Sequence, residues 1–310
     1  MKLLRAFVCL SFLCVAVTAF GQAGSGRQFI KKATTEPEPT TATDETTHTG
    51  FPWEFDTEFS IIGGSDVARG YRTVDDIVEV YTQARVIYTP RIKYGILRLG
   101  VAYERFGFSM TEPAFEVPRG LQSLAAVIGL DTKLGDSILV RFEAQPGLYS
   151  GTRLDGDGFH VPFILGGTYI YSDTLQFVFG VSVDYERSYP VFPGGGVRWR
   201  MGSQLVLNAV LPTPRLEYEV TKDFILYAGA DVKGSTFRVD DRFGFERGNP
   251  SLNHAVVTYS EVRAGVGFQW KLAPEVKISI EGGYMPWREF DFHRTDVRYH
   301  YEEGAPYASA

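Results

Sequence analysis

From Phe51 onward the chain runs in alternating segments of roughly ten residues, and almost nothing in it repeats at helical spacing. In "DSILVRFEAQPG", Ile138, Val140, Phe142 and Ala144 share one face, while Leu139, Arg141, Glu143 and Gln145 share the other. A period of two is that of a strand, whose successive side chains point to opposite sides of a sheet. The same split recurs. Val78, Val80, Thr82, Ala84 and Val86 oppose Glu79, Tyr81, Gln83 and Arg85; Leu97, Leu99, Val101 and Tyr103 oppose Arg98 and Glu104. Leu175, Phe177, Phe179, Val181 and Val183 oppose Gln176, Ser182, Asp184 and Glu186, and Val262, Ala264, Val266, Phe268 and Trp270 oppose Arg263, Gly265, Gly267 and Gln269. Ile278, Ile280 and Tyr284 then oppose Lys277, Ser279 and Glu281. The fold class is all-β.

A soluble sandwich alternates as well, so the solvent has to be read from other features. Aromatic residues gather near segment ends, at Trp53, Phe55, Tyr88, Tyr94, Phe106, Phe108, Tyr149, Phe159, Tyr169, Tyr171, Trp270, Trp287 and Phe290, as the two interfacial girdles of a membrane barrel require. The links alternate in length. Long ones at 64–75, 108–121, 150–158, 187–195, 238–254 and 291–304 are separated by short ones at 89–94, 134–136, 172–174, Gly202 to Ser203, 221–223 and 273–275, with one undersized long-side link at Pro212 to Pro214. Short periplasmic turns, longer outer loops and an even strand number mark a transmembrane barrel. The faces opposite the oily ones also carry Gly100, Ala102, Gly166, Gly180, Ser182, Gly265, Gly267, Ser279 and Gly283, small side chains that leave a lumen roomy where a sandwich core needs bulk. These features predict an antiparallel transmembrane β-barrel of 12 to 14 strands over residues 53–310.

The preceding residues belong to other classes. Lys2 and Arg5 stand before an apolar run from Ala6 to Phe20 and small residues suited to signal peptidase, so residues 1–21 read as a cleaved signal peptide. That run is shorter than the roughly 20 residues of a spanning helix. Cys9 and Cys14 both fall inside it, which removes disulfides, thiolate metal sites and cysteine nucleophiles from the mature chain. Residues 22–52, rich in Thr, Pro and Glu, cannot bury enough surface to order themselves and read as a disordered linker. Losing two positive charges with the leader takes the formal charge from −6 to −8, which argues against nucleic-acid binding.

"PGLYSG" (146–151), "YPVFPGGGVRWR" (189–200), "LPTPRLEY" (211–218) and the closing "APYASA" (305–310) resemble an uncharacterised, porin-like family of Gram-negative outer-membrane β-barrels known only as a domain of unknown function. The resemblance spans 54–310. Its motifs are loop and strand-end signatures, so it implies fold and outer-membrane location and transfers no site residues. Such barrels finish on a strand with a terminal aromatic that assists assembly, whereas this chain ends at Ala310, which leaves barrel closure open.

The candidate lumen charges are Glu79, Arg85, Arg98, Glu104, Arg141, Glu143, Asp184, Glu186, Arg198, Arg200, Glu217, Glu219, Arg263, Lys277 and Glu281, with Glu54, Asp56 and Glu58 on the first segment. In a water-filled pore such rows sort solutes by charge. The acids outnumber the bases, so an open pore should mildly prefer cations. The same groups could pair into a network that plugs the interior, although a wall this wide exceeds what side chains alone fill. A lipid-modifying enzyme would need a nucleophile, a His base and an acid at one rim. His48, His160, His254, His293 and His300 sit in no nucleophile motif, and Ser251 with His254 is an ordinary loop pair. Asp291, His293, Asp296, His300, Glu302 and Glu303 mix ligand types without the spacing of a defined metal site.

"LYSGTRLDGDGFHV" (148–161) fails as a calcium loop because Gly166 occupies the position of the bidentate Glu, and it reads as an outer hairpin. The expected function is a passive channel for small hydrophilic solutes, with a non-conducting structural or adhesive barrel as the alternative. No cofactor is implied, and the partners are outer-membrane lipids, the barrel-assembly machinery and those solutes.

Overall fold

The computed structural model describes residues 52–110 and 116–310. The expected signal peptide and linker lie outside these residues, Pro52 excepted.

Among the described residues, twenty strands follow one another along the chain. The first part holds β1 (Trp53–Ile62), β2 (Asp66–Arg69), β3 (Arg72–Val74), β4 (Val78–Tyr88), β5 (Arg91–Ile92), β6 (Gly95–Ser109) and β7 (Gly120–Leu134). Then come β8 (Ile138–Ala144), β9 (Gly147–Ser150), β10 (Phe159–His160), β11 (Phe163–Ile170), β12 (Leu175–Val183), β13 (Val191–Arg200) and β14 (Leu205–Val210). The last are β15 (Arg215–Glu219), β16 (Phe224–Arg238), β17 (Val256–Ala273), β18 (Val276–Phe292), β19 (Val297–Glu303) and β20 (Ala305–Ser309).

Fourteen of them close an antiparallel barrel in the order β1, β4, β6, β7, β8, β11, β12, β13, β14, β15, β16, β17, β18, β20 and back to β1. Closure is made at the chain's end. Ser309 pairs with Ser60 on β1 and with Glu281 on β18, and Phe59 and Ala310 exchange backbone hydrogen bonds of 3.0 and 2.9 Å.

The wall is apolar outside. Phe59, Ile61, Val80, Val101, Ile128, Phe142, Leu165, Phe179, Val266 and Ile280 are all exposed on its outer face. A belt of that extent meets hydrocarbon rather than water. Trp53, Tyr88, Tyr94, Tyr169, Tyr171, Trp199, Tyr218 and Trp270 are exposed at or near the strand ends beside the short turns, forming one girdle. Phe106, Phe108, Tyr149 and Phe290, expected in the girdles, are instead buried inside the barrel, Phe106 and Phe108 because they continue the inward parity of β6, and Phe290 because a bulge in β18 turns the residues after it inward. Residues 191–195, expected in a long link, already belong to β13.

Three of the long links carry strands of their own, among the described residues. β19 pairs with β18 and β2, and β2 with β3, extending the wall beyond β20. The expected hairpin at 148–161 is present as β9 and β10, with Asp155 accepting a hydrogen bond from the Asp157 N–H at its tip. It does more than turn. β9 pairs antiparallel with β7 and, at Ser150, parallel with Arg238 of β16, so it bridges two wall strands that are separated in the ring by β8 and β11 to β15. Gly147 permits this approach: a Cβ there would sit 2.5 Å from Ala125.

Candidate functional site

The bridge narrows the long-loop half of the barrel until side chains can fill it. Tyr81, Phe106, Phe108, Tyr149, Phe237, Tyr259 and Phe290 project inward from six strands and are all buried. Ring centroids of Phe106 and Tyr259 lie 4.8 Å apart, those of Phe108 and Phe290 5.1 Å, and those of Tyr81 and Phe106 4.8 Å. Such edge-on and tilted pairs add to the stabilisation from burial itself. The expectation that the wall is too wide for side chains to fill is corrected for this half.

A buried polar quartet lies against these rings. Arg288 contacts Glu79 at 2.5 Å and donates from Nε to the Tyr259 hydroxyl at 3.1 Å, while that hydroxyl donates to Glu79 at 2.6 Å. Arg263 lies 2.5 Å from Glu261 and 3.3 Å from Glu79. Two guanidinium groups thus answer two carboxylates, a balance that makes burial of four charges tolerable. Arg288 also donates to Ser65 Oγ and the Ile77 carbonyl, and Arg263 to Ser60 Oγ.

Toward the short turns the lumen opens into a cavity of about 450 Å³. Its lining includes Leu139 and Lys277, each the second residue of its strand beside a short turn, and also Leu211, Pro212 and Thr213 of the link between β14 and β15 at the opposite end. The cavity therefore runs beside the aromatic core, along the arc of shorter strands. Gly166, Gly167, Thr168 and Val178 form its uncharged side.

Of the charges expected in the lumen, Arg85, Glu104, Arg141, Arg198, Arg263, Lys277 and Glu281 line this cavity, as do Asp56 and Glu58. Glu79, Arg98 and Glu143 are buried in ion pairs outside the lining, with Arg98 reaching Glu54 at 3.1 Å and Glu143 at 3.5 Å. Glu217 is buried without lining the cavity, and Arg200 pairs with Glu219 at 3.2 Å at the strand ends beside the short turns. Asp184 and Glu186 are not cavity residues. They follow the last residue of β12 at the long-loop rim, where Asp184 meets His160 and Arg187, and Glu186 meets Arg238 and Arg294. Burial pushes the His160 imidazole below its ordinary value, against the pull of Asp184.

Asp131, Arg215, Asp231 and Lys233, outside the charges expected from alternation, also line the cavity. Lys233 bonds Glu58 at 2.8 Å and Asp231 at 3.1 Å; the inward parity of "GADVKGS" carried that signal. With these included, seven bases (Arg85, Arg141, Arg198, Arg215, Lys233, Arg263, Lys277) face six acids (Asp56, Glu58, Glu104, Asp131, Asp231, Glu281). The expected cation preference does not follow from such a lining.

The remaining candidates are scattered. His254 faces Asp157 at 3.6 Å and His300 bonds Glu289 at 3.1 Å, and the described residues contain no group of three or more His, Cys, Asp or Glu side chains arranged to hold a metal. His48 lies outside the described residues.

A closed antiparallel barrel with an apolar outer belt and a charged lumen defines a transmembrane β-barrel protein. Residues 97–309 match the family described as Domain of unknown function (DUF6268), and the chain belongs to that family. No curated protein matches it. Among solved structures the chain is similar to a deletion mutant of the TodX monoaromatic hydrocarbon channel, at 9% identity over 83% of this chain and 89% of that one with a TM-score of 0.36. It is also similar to a triple mutant of the Rhodopseudomonas blastica porin, at 9% identity over 82% of this chain and 100% of the porin, with a TM-score of 0.28.

Proposed function

We propose that this protein is an outer-membrane channel through which small hydrophilic solutes move passively. The observation that carries the reading is the route of the cavity, from residues beside the short turns to the Leu211–Thr213 link at the other end, past the aromatic core and lined by thirteen charged side chains. A wall that only anchors the protein has no need to keep a charged, water-accessible lumen; small barrels fill theirs. The apolar outer belt and the short-turn girdle suit insertion into an outer membrane. Conductance of the refolded protein in a planar bilayer tests the reading. Discrete current steps are expected, and silence from a barrel whose heat-modifiable gel mobility proves it folded overturns it.

The filled long-loop half favours a second reading, a structural barrel without conductance. Silence in that experiment, with intact folding, is its expected result.

A further inference from the structure

The wall is lowest at β14 and β15, with six and five residues where a tilted membrane strand needs roughly 9–11 to span. Their link is tied to β16 by the Val232 N–H, which donates to the Pro212 carbonyl at 3.1 Å. Beyond that bond, among the described residues, 191–195 of β13 pair only with β12 and 233–237 of β16 only with β17. Pro193 stands in the first of these stretches, where a strand with an open edge accommodates it. The gap is a seam closed by side chains. Phe192 of β13, Leu211 of the link and Val262 of β17 pack against Val232, and Arg238 reaches Glu186 at 3.2 Å at the long-loop end. On β17 the outward residues change from Val266 and Val262 to Ser260 and Thr258, which sets the seam at the long-loop edge of the apolar belt. Leu211 belongs both to the seam and to the cavity lining, and so joins them.

We propose that this seam is a lateral portal through which amphiphiles with a single apolar chain pass between the outer leaflet and the lumen. In hydrocarbon, a strand edge without a ladder is tolerated only where it meets protein or lines a cavity. Here it meets four apolar side chains, which can part without breaking a backbone hydrogen bond, and the cavity lies behind them. Ile164 and Val178 line that cavity in register with Phe192 and Val210 across the intervening strands, so an apolar strip leads inward from the seam. A chain moving from lipid onto this strip exchanges one apolar surround for another. Its head group then reaches the charged side of the lumen, where it makes contacts that hydrocarbon does not supply. The cavity of about 450 Å³ lies within the roughly 300–1,000 Å³ of pockets that enclose one small molecule, which favours one chain over a two-chain lipid. The portal goes beyond the channel for hydrophilic solutes and stands or falls separately from it.

The test changes Cys9 and Cys14 to Ser and joins Phe192→Cys to Val232→Cys with a short bis-thiosulfonate crosslinker, which dithiothreitol removes. Barrels refolded into phospholipid vesicles are photolysed with a diazirine-bearing dodecanoate, and the labelled residues are mapped by mass spectrometry. Without the crosslink, label is expected on Ile164, Val178 and Val210 inside as well as on Leu165 and Val266 outside. The crosslink should abolish the inner label and spare the outer one, and dithiothreitol should restore it. Inner label that is absent from the open barrel, or that persists in the crosslinked one through entry at the short-turn mouth, would overturn the portal. A two-chain phospholipid carrying the same diazirine should label the outer face alone, and inner label from it would overturn the one-chain assignment. Should the cysteine pair fail to fold, Leu211→Ala decides: losing one seam side chain is expected to raise the inner label, and an unchanged inner label overturns the portal. Conductance without inner label leaves the channel and sinks the portal, whereas inner label in a silent barrel does the reverse.

Discussion

Arg288 and Glu79 form an ion pair inside the barrel, with neither side chain accessible to solvent, although 209 residues separate them in the chain. Removing one partner of a buried pair leaves the other charge uncompensated, at a cost of about 3–5 kcal/mol. Glu79→Gln should therefore lower the urea midpoint of the refolded barrel by that scale, read by tryptophan fluorescence. A double change, Glu79→Gln with Arg288→Met, should recover part of the loss. An unaltered midpoint in the single variant would refute the role assigned to the quartet.

The β9 bridge depends on close backbone approach at Gly147. Gly147→Val should displace β9 from β7 and loosen the aromatic core that Tyr149 completes, Tyr149 lying 6.5 Å from Phe237 between ring centroids. Faster proteolysis within 148–161, in an otherwise folded barrel, is the expected readout.

The two faces of the wall should respond oppositely to charge. Val266 is exposed on the outer face, and Val266→Arg should cost about 2–4 kcal/mol if the position lies near the bilayer midplane. Ser279, one strand away and lining the cavity, should accept Arg with little loss. Equilibrium unfolding in lipid vesicles compares the two. Equal tolerance would mean that the outer belt does not face hydrocarbon.

At the long-loop end, Glu116 accepts hydrogen bonds from Asn249 at 2.7 Å, Tyr299 at 2.9 Å and Arg69 at 2.7 Å, tying together four segments distant in sequence. Burial works to raise its carboxyl, but those hydrogen bonds and the charge of Arg69 outweigh burial and hold it below the ordinary value of 4.5. Because the folded value is the lower one, the tie is fully present above pH 4.5 and is lost as the pH falls through the folded value. Loop protection against hydrogen exchange should decline on acidification, and Glu116→Gln should weaken it at neutral pH while flattening the decline.

Strand parity was legible wherever a strand runs without interruption. Val80 and Val86 face out while Glu79, Tyr81 and Arg85 face in, as alternation in "VEVYTQARV" predicts. β18 shows where that reasoning stops. Glu281 and Met285 face inward at odd positions, yet Arg288, Phe290 and Phe292 face inward at even ones, because a bulge sets Tyr284 opposite Ala264 but Trp287 opposite Val262. One extra residue, at a segment holding Pro286, inverts the parity and brings Arg288 inside. Periodicity cannot detect that insertion, since it depends on what the partner strand pairs with.

By itself the sequence determined the all-β class, the alternation of short and long links and the outward placement of Phe142, Val266 and Ile280, because strand geometry and the choice between lipid and lumen act residue by residue. Only the tertiary structure decided that β9 spans from β7 to β16 and that Phe106 and Phe290 pack inside the lumen. Those outcomes depend on which strands meet across the barrel, and such meetings are set by closure of the ring and by side-chain volume at its centre, neither of which is written in the polarity of any one segment.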